Sequence, residues 1–398
     1  MSILYFAEKQ KMDNSAKQYK ILDPDNCAMC GMCLNHCPTY KVNNNESESP
    51  RGRISIIHGL NASLLAPTES ALKHLNSCTL CLACESACPA KVDFYGLITK
   101  ARDKYYKKQK FLFKLKSFFI SSILTNPISK RILFEFTNFA QDIFLYKKFF
   151  NIKQKKYHID AYDETVKNGD SKIGIFSGCA SDIFQKNVAN DCIEVLKKNN
   201  IKSELVQKVE CCGSLDYNCG RIEKGLRYNN IANNEFSNGK YEKVIGYASG
   251  CSSFINRNNK SNIYEDATSF ILNLLSNKID KFKETNKNVC IHRPCTTKSA
   301  EIDFQKLLSV LETIPNLKIF TFEDDYCCGA GAQNLLHNTK NSINIIEPKI
   351  EFVKSNKIDL ILTYNIGCSL NFINSININN MKRVDVMHPI SFINERLK

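Results

Sequence analysis

The sequence predicts a multidomain α+β protein in which a helical, cysteine-rich N-terminal domain precedes two tandem α/β domains. Eight of the 19 cysteines lie between Cys27 and Cys88, in two runs of identical spacing. The other eleven are spread from Cys179 to Cys368, in a pattern that recurs after about 116 residues. Short apolar runs alternate with helical patterns in this second half, which is typical of parallel sheets covered by helices.

Length and composition exclude several classes of protein. A chain of 398 residues with 43% hydrophobic residues is ordinary for two or three globular domains and excludes global disorder. We expect neither a secretory signal nor a membrane-spanning helix, because Lys, Asn and Pro interrupt the most apolar stretch, Phe111–Phe150. The expected location is therefore cytoplasmic, where dense cysteine indicates metal or redox chemistry instead of disulfides.

The N-terminal cysteines form two runs of the pattern Cys-x2-Cys-x2-Cys-x3-Cys-Pro. This spacing is typical of bacterial ferredoxins with two [4Fe-4S] clusters, in which the fourth cysteine of each run ligates the neighbouring cluster. Such crossed ligation holds the two clusters close together. The predicted ligands of cluster one are Cys27, Cys30, Cys33 and Cys88, and those of cluster two are Cys78, Cys81, Cys84 and Cys37.

Structural zinc is the alternative for these eight cysteines, since Cys-x2-Cys pairs are common zinc ligands. Zinc requires four ligands per site and gives no role to the third cysteine step or to the closing Cys-Pro. The region between the runs contains two helical patterns, Ile54–Leu65 and Ser70–Leu75. We therefore expect residues 1–110 to form a helical domain with two [4Fe-4S] clusters, and not a compact βαβ ferredoxin.

Residues 111–168 are predicted to be a helical connector, and the polar stretch Asp163–Ser171 is predicted to be a linker. Its mixture of Lys with Phe, Leu and Ile fits a helix on a membrane surface, but we favour helices that pack between domains. The two α/β domains are predicted to span residues 169–285 (the first repeat) and 286–398 (the second repeat). Their boundary is expected in the polar run Ser276–Asn288.

Four apolar runs in the repeats lead to a cysteine and are predicted to be buried strands. They are Ile173–Cys179, Val244–Cys251, Val289–Cys295 and Leu360–Cys368. Helical patterns such as Val188–Lys198 and Ile343–Lys354 lie between them. Because ligands of parallel sheets bind beyond the carboxyl ends of the strands, we expect these cysteines to meet at one edge of each sheet.

Each repeat contains four cysteines at matching positions, and two of them form a Cys-Cys-Gly motif. Glycine suits a loop whose backbone approaches a cofactor closely. The four thiols of each repeat could hold a further iron–sulfur cluster, or they could line a core without metal. These residues are Cys179, Cys211, Cys212 and Cys251 in the first repeat, and Cys295, Cys327, Cys328 and Cys368 in the second.

The repeats resemble the cysteine-rich "CCG" domain of heterodisulfide reductases and of flavoprotein-linked iron–sulfur subunits. With the helical ferredoxin domain before them, they make nearly the whole chain similar to the iron–sulfur subunits of bacterial glycolate oxidases. The matching stretches are Cys37-Pro-Thr-Tyr40, Ser49-Pro-Arg-Gly-Arg-Ile54, Pro294-Cys295 and Asn365-Ile-Gly-Cys368.

The resemblance implies an electron-transfer subunit that takes electrons from FAD-binding partner subunits, which oxidise a 2-hydroxy acid such as glycolate. Electrons would pass to the respiratory chain through a quinone-linked acceptor, which leaves open a peripheral position on the cytoplasmic face of the inner membrane. No glycine-rich dinucleotide fingerprint stands out, so substrate and flavin sites are expected in the partners. The net charge of +14 would also fit a zinc-stabilised nucleic-acid-binding protein, but we expect no nucleic-acid partner.

One departure from the heterodisulfide reductases narrows the choice. Their last landmark is Cys-x2-Cys, whereas Phe254 and Asn371 occupy the second cysteine's place in this sequence. Reduction of a disulfide substrate is therefore disfavoured, although a heterodisulfide-reductase-like enzyme remains an alternative. The iron–sulfur subunit of an anaerobic glycerol-3-phosphate dehydrogenase is the other.

Overall fold

The computed structural model describes residues 26–126, 128–129, 132, 173–258, 262–275, 282–322, 327–331 and 334–398. The expected linker Asp163–Ser171, most of the connector and the start of the boundary run, 276–281, lie outside the described residues. Within the described parts the chain is a mixed α+β protein, with helices at the N-terminal end and two small parallel sheets after them.

Short helices packed around one apolar core make up the N-terminal helical domain. The core includes Ile57, Leu75, Leu97 and Ile98. Both helices expected between the cysteine runs are present, although the first ends at Asn61, earlier than its apolar pattern. The helices are α1 (Pro38–Asn43), α2 (Pro50–Asn61), α3 (Glu69–Asn76), α4 (Ala83–Ser86) and α5 (Phe94–Lys104).

Helix α6 (Phe111–Thr125) is the described part of the connector, and it contacts both repeats. Ser121 donates a hydrogen bond to Asp216 in the first repeat (2.8 Å), and Ser117 bonds His337 in the second (2.9 Å). The described part of the connector therefore lies across the repeats, as the packing interpretation expects. No helix among the described residues is long and apolar enough to cross a bilayer.

The two sheets have the same topology and the same register. Strands β1 (Ile173–Phe176), β2 (Ser203–Leu205), β3 (Lys243–Gly246) and β4 (Tyr264–Asp266) form a parallel sheet of order β2-β1-β3-β4. Strands β5 (Asn288–Ile291), β6 (Lys318–Thr321), β7 (Leu360–Leu362) and β8 (Asp385–Met387) form another of order β6-β5-β7-β8. Ile173 pairs with Ser203 and Lys243, and Val289 pairs with the equivalent Ile319 and Leu360, so the internal repeat is structural.

Helices surround both sheets. The first repeat contains α7 (Ser181–Phe184), α8 (Lys186–Lys198), α9 (Ser214–Asn218), α10 (Ile222–Phe236), α11 (Ser249–Asn258) and α12 (Ala267–Leu275). The second contains α13 (Phe304–Glu312), α14 (Asn334–His337), α15 (Thr339–Ser355), α16 (Ile366–Ile378) and α17 (Pro389–Arg396).

The strands are shorter than the apolar runs that predicted them. Strand β3 ends at Gly246, and Cys251 lies in the first turn of α11. Cys368 likewise lies in the first turn of α16, where the Asn365 side chain accepts hydrogen bonds from the amides of Gly367 and Cys368. The apolar pattern extends past each strand because the turn and the helix start are buried as well.

The two repeats share one apolar core. Ile175, Val195 and Ile271 of the first repeat belong to the same cluster of buried side chains as Leu362 and Phe392 of the second. Helix α17 packs on α8, and α12 packs on α13. The last helix of each repeat therefore packs against a helix of the other repeat. A shared core makes the repeats a single packed unit, whereas the sequence suggested two adjacent domains.

Candidate metal centres

Four of the N-terminal thiols line a single cavity. They are Cys37, the last cysteine of the first run, and Cys78, Cys81 and Cys84 of the second. Pro38 begins helix α1 directly after Cys37, which turns the chain away and directs this cysteine toward the second run. The cavity therefore combines the cysteines that the crossed pattern groups together.

The loops that carry the two runs have the same backbone conformation. Met29 and Gly31 have positive φ angles of 54° and 82°, and the equivalent Leu80 and Leu82 have 54° and 60°. Bulky residues adopt this region at a cost of about 1–2 kcal/mol each. The amide of Leu80 donates to the sulfur of Cys78 (3.4 Å), which is a bond that a thiolate would strengthen. These strained loops are typical of a ligand-holding site.

One fully buried arginine, Arg53, lines the cavity, and a second, Arg102, contacts the backbone of its lining residue Cys78. The Arg53 guanidinium lies 4.0 Å from the sulfur of Cys37 and is paired with Glu48 (2.6 Å). Arg102 donates to the carbonyl of Cys78 (2.8 Å), and each of its described hydrogen bonds goes to a main-chain carbonyl. Burial lowers the pKa of Arg102, and the neighbouring Cys78 opposes that shift. The buried positive charge of Arg102, which has no described carboxylate partner, would be compensated by an anionic group near Cys78.

The remaining N-terminal cysteines lie nearer the surface. Cys27, Cys33 and Cys88 pack against the core of the helical domain, while Cys30 is exposed. Burial raises the pKa of Cys33. Arg51 lies over this loop, where it donates to the carbonyl of Met29 (3.1 Å).

The four landmark thiols of the first repeat lie together beyond the carboxyl ends of β1, β2 and β3. The sulfurs of Cys179 and Cys211 are 3.7 Å apart, and Cys212 is hydrogen-bonded to Cys251. Gly213 has a φ of +90°, and a Cβ there would lie 2.0 Å from the carbonyl oxygen of Gly225. Only glycine therefore allows this close turn.

The second repeat groups its four thiols in the same way. The sulfurs of Cys328 and Cys368 are 2.9 Å apart, and Cys295 is hydrogen-bonded to Cys327. Burial raises the pKa of Cys368, while the charge of Lys349 acts in the opposite direction. Lys349 is itself buried beneath the site.

The helical domain and the second repeat meet at a pair of thiols. The thiol of Cys81 lies next to that of Cys327, and its interaction with this neighbour is the largest cause of the raised pKa of Cys81. The Asn334 side chain donates to the carbonyl of Ser77 (2.8 Å), and Gly331 packs against the backbone of Thr79. Cys81 thus lines the cavity of the helical domain and also touches the thiols of the second repeat.

Phe254 and Asn371, which take the place of the second cysteine of the Cys-x2-Cys landmark, are both buried. Phe254 is buried and lies 5.1 Å from the Tyr217 ring, between ring centroids. The Asn371 amide donates to the carbonyl of Cys328 (2.6 Å). Cys192, Cys219 and Cys290, which lie outside the landmark pattern, are buried.

The donor sets fit iron–sulfur chemistry. Four thiols around one cavity are the ligands that a [4Fe-4S] cluster needs, and buried guanidinium groups compensate its negative charge. Sequence reasoning missed Arg102 and the contact between Cys81 and Cys327. Neither has a local signal, because both depend on how the domains pack.

Comparison with known families assigns the same architecture. Residues 23–92 match the model of the 4Fe-4S dicluster domain, and residues 173–256 and 289–373 each match the model of the cysteine-rich domain. These matches agree with a domain for two [4Fe-4S] clusters at the N-terminal end and a duplicated cysteine-rich domain after it.

Several curated proteins are similar over much of the chain. The glycolate oxidase iron-sulfur subunit of Escherichia coli is 26% identical, with 94% of each chain covered. The probable glycolate oxidase iron-sulfur subunit of Bacillus subtilis is 25% identical, with 87% of each covered. A lactate utilization protein A of Bacillus anthracis is 24% identical over 54% of this chain and 95% of its own. The chain therefore joins a 4Fe-4S dicluster domain to two cysteine-rich domains, and over nearly its whole length it is similar to glycolate oxidase iron-sulfur subunits.

Proposed function

We propose that this chain is the electron-transfer subunit of a flavin-dependent 2-hydroxy-acid dehydrogenase or oxidase, with glycolate as the substrate of the complex. Oxidation of a 2-hydroxy acid to the 2-oxo acid releases two electrons and two protons, which the flavin of a partner subunit takes up. A [4Fe-4S] cluster accepts and returns one electron at a time. The similarity to glycolate oxidase iron-sulfur subunits over 94% of the chain supports the proposal.

The eight N-terminal thiols are the proposed ligands of the two clusters, in the crossed arrangement. Cys37, Cys78, Cys81 and Cys84 share one cavity, which supports their assignment to cluster two. Cluster one would then take Cys27, Cys30, Cys33 and Cys88. Helix α4 of the second run packs against the turn Leu34–His36 of the first, so both runs lie side by side.

The observation that carries the relay is the contact of Cys81 with Cys327. A ligand of cluster two that touches a thiol of the second repeat leaves no intervening layer of protein between the two groups of cysteines. Electrons from the partner flavin would enter at the exposed Cys30 loop, cross to the cavity around Cys81, and reach the second repeat. We assign the thiols of the repeats, including Cys295 and Cys368, to an additional metal centre.

Helix α6 is the proposed contact with the cytoplasmic face of the inner membrane. Its outward face carries Phe111, Leu112, Phe118 and Phe119, with exposed fractions between 53% and 73%. Exposed lysines surround the start of this helix; they are Lys104, Lys107, Lys108 and Lys110. Aromatic side chains beside lysines suit the interface of an anionic bilayer. A quinone-linked acceptor in the membrane would then lie close to the chain.

The proposal is tested with the complex of this chain and its FAD-binding partners, purified without oxygen. The complex is mixed with glycolate, L-lactate or glycerol 3-phosphate, and frozen samples are measured by electron paramagnetic resonance (EPR). We expect glycolate to give the signals of reduced [4Fe-4S] clusters. Signals that appear with glycerol 3-phosphate alone, or flavin that is bleached while the clusters stay oxidised, would contradict the proposal.

Binding to vesicles tests the membrane contact separately. The complex should sediment with vesicles of phosphatidylglycerol and phosphatidylcholine, and Phe118→Ser combined with Phe119→Ser should reduce the bound fraction several-fold. Phosphatidylcholine vesicles, which carry no net charge, are the control. Equal binding by the variant would exclude α6 as the contact.

A further inference from the structure

The thiol groups of the two repeats have different surroundings. Ile173 in β1 and Val289 in β5 occupy equivalent positions of the two sheets. The residue three positions after Ile173 is Phe176, and the residue three positions after Val289 is His292. Phe176 is buried and packs against Phe236, with the ring centroids 5.4 Å apart. The phenyl ring of Phe176 therefore stands in the first repeat at the position where the second repeat has the imidazole of His292.

His292 lies directly beside two of the landmark thiols. A ring nitrogen of His292 and the sulfurs of Cys328 and Cys368 all lie within 4.8 Å of one another, and all three residues are buried. These are separations that a metal ion bound to all three atoms requires after small adjustments, since metal–sulfur and metal–nitrogen bonds measure about 2.3 and 2.1 Å.

The two nitrogens of the ring have different partners. Nδ1 is 3.1 Å from the hydroxyl of Thr363. Nε2 has no hydrogen-bond partner among the described residues, although His292 is only 1% exposed. An unpaired buried nitrogen costs free energy unless a ligand satisfies it. Histidine ligands commonly donate from one nitrogen to a nearby oxygen while the other binds the metal.

We propose that His292 ligates a metal in the second repeat through Nε2, together with Cys328 and Cys368, and that the first repeat has no such mixed site. The inference rests on the proposed metal role of the second repeat's thiols and narrows it. Nitrogen and thiolate donors together select a borderline-soft metal, either an iron of a further cluster or a zinc ion. The site would differ from the two N-terminal clusters, whose proposed ligands are all sulfur.

Neighbouring groups fit this role. Lys349 is buried, with its ammonium 4.5 Å from the centroid of the Phe322 ring, and the centroid of that ring lies 6.1 Å from the centroid of the His292 ring. Gly225 lies against the first Cys-Cys-Gly turn, and Ser342 lies against the second. The same offset along the sequence that separates Gly225 from Ser342 relates Lys349 to Ala232 in the first repeat. The position equivalent to Lys349 in the first repeat therefore carries no charge.

The test uses full-length protein reconstituted with iron and sulfide without oxygen, in wild type and in His292→Phe, which copies the first repeat. His292→Cys replaces the nitrogen with a thiol that can also ligate metal. His388→Gln is the matched control, because His388 is a buried histidine that bonds the carbonyl of Tyr247 instead of facing the landmark thiols. Metal content is measured per chain, and pulsed EPR of the reduced protein, with and without 15N-labelled histidine, detects a metal-bound nitrogen.

We expect wild type to hold metal beyond the irons of the two N-terminal clusters, as iron with a histidine nitrogen coupling or as one zinc. His292→Phe should lose that metal, and its nitrogen coupling if the metal is iron. His292→Cys should regain metal without the nitrogen coupling, and His388→Gln should match wild type. If the metal of the second repeat is present and His292→Phe leaves it unchanged, His292 is not a ligand, although the metal role of the thiols stands. Absence of any metal beyond the N-terminal clusters in wild type would overturn the metal role of the repeat as well, while those clusters remain as an independent readout.

Discussion

The thiol of Cys81 in the dicluster domain lies next to the thiol of Cys327 in the second cysteine-rich repeat. The contact joins two cysteine groups that lie far apart in the sequence. The backbones of the helical domain and the second repeat also lie close together there. A Cβ on Gly331 would be only 2.5 Å from the Cα of Thr79. The close approach places a proposed ligand of cluster two beside the thiols of the second repeat.

Gly331→Ala should separate the two thiols. The added methyl group must displace the Thr79 loop, whereas Gly220→Ala would clash with the carbonyl of Arg102 at the first repeat (2.6 Å). In metal-free protein under mild oxidation, we expect a Cys81–Cys327 disulfide in wild type and in Gly220→Ala, and a several-fold lower yield in Gly331→Ala. Peptide mapping by mass spectrometry measures the yield. Equal yields in all three proteins would contradict the predicted contact.

Arg102 should raise the reduction potential of cluster two. A buried positive charge next to Cys78 stabilises the reduced cluster, which carries one more negative charge than the oxidised one. Arg102→Met should therefore lower the potential by tens of millivolts, and Arg102→Lys should retain most of the wild-type value. Potentiometric titration followed by EPR provides both values. A potential that rises in Arg102→Met would exclude this role of the guanidinium.

Gly213 should be far less tolerant of a side chain than Gly239. Both have positive φ angles, but a Cβ on Gly213 would meet the Gly225 backbone at 2.0 Å, while nothing lies within 4 Å of one on Gly239. Gly239→Ala should cost about 1–2 kcal/mol for the left-handed backbone. Gly213→Ala should cost several kcal/mol more, measured by urea unfolding of the metal-free protein. Similar losses in the two variants would show that crowding at the Cys-Cys-Gly turn is unimportant.

His388 should contribute to the loss of stability in acid. Burial lowers its pKa to about 3, while its Nε2 donates to the carbonyl of Tyr247 (2.9 Å). Because the unfolded chain binds a proton below pH 6.5 and the folded chain does not, this stability is present above pH 6.5 and is lost as pH falls toward 3. Between pH 7.5 and 5.5 the loss should be about 1.4 kcal/mol. His388→Gln should be less stable at pH 7.5 but should lose less over that interval; an unchanged loss would exclude the contribution.

The sequence predicted what local spacing and periodicity determine. The pattern around Cys27 and Cys78 identified the ferredoxin runs, and the recurring Cys-Cys-Gly motif identified the duplicated sheets. The shared core, in which α17 of the second repeat packs on α8 of the first, was not predictable because the apolar faces of these helices would suit either partner. Arg102 was missed for the same reason. An arginine in a helical pattern is usually exposed, and the burial of Arg102 depends on the carbonyls of Leu75, Cys78 and Asn218.

The central claim is that the eight N-terminal thiols hold two [4Fe-4S] clusters with crossed ligands. The most direct measurement is iron and sulfide analysis with EPR of anaerobically reconstituted protein, in wild type and in Cys37→Ser. We predict two magnetically interacting clusters in wild type, and in Cys37→Ser a change confined to the cluster that Cys78, Cys81 and Cys84 ligate. Zinc in place of iron, or a change confined to the cluster that Cys27, Cys30 and Cys33 ligate, would contradict the account.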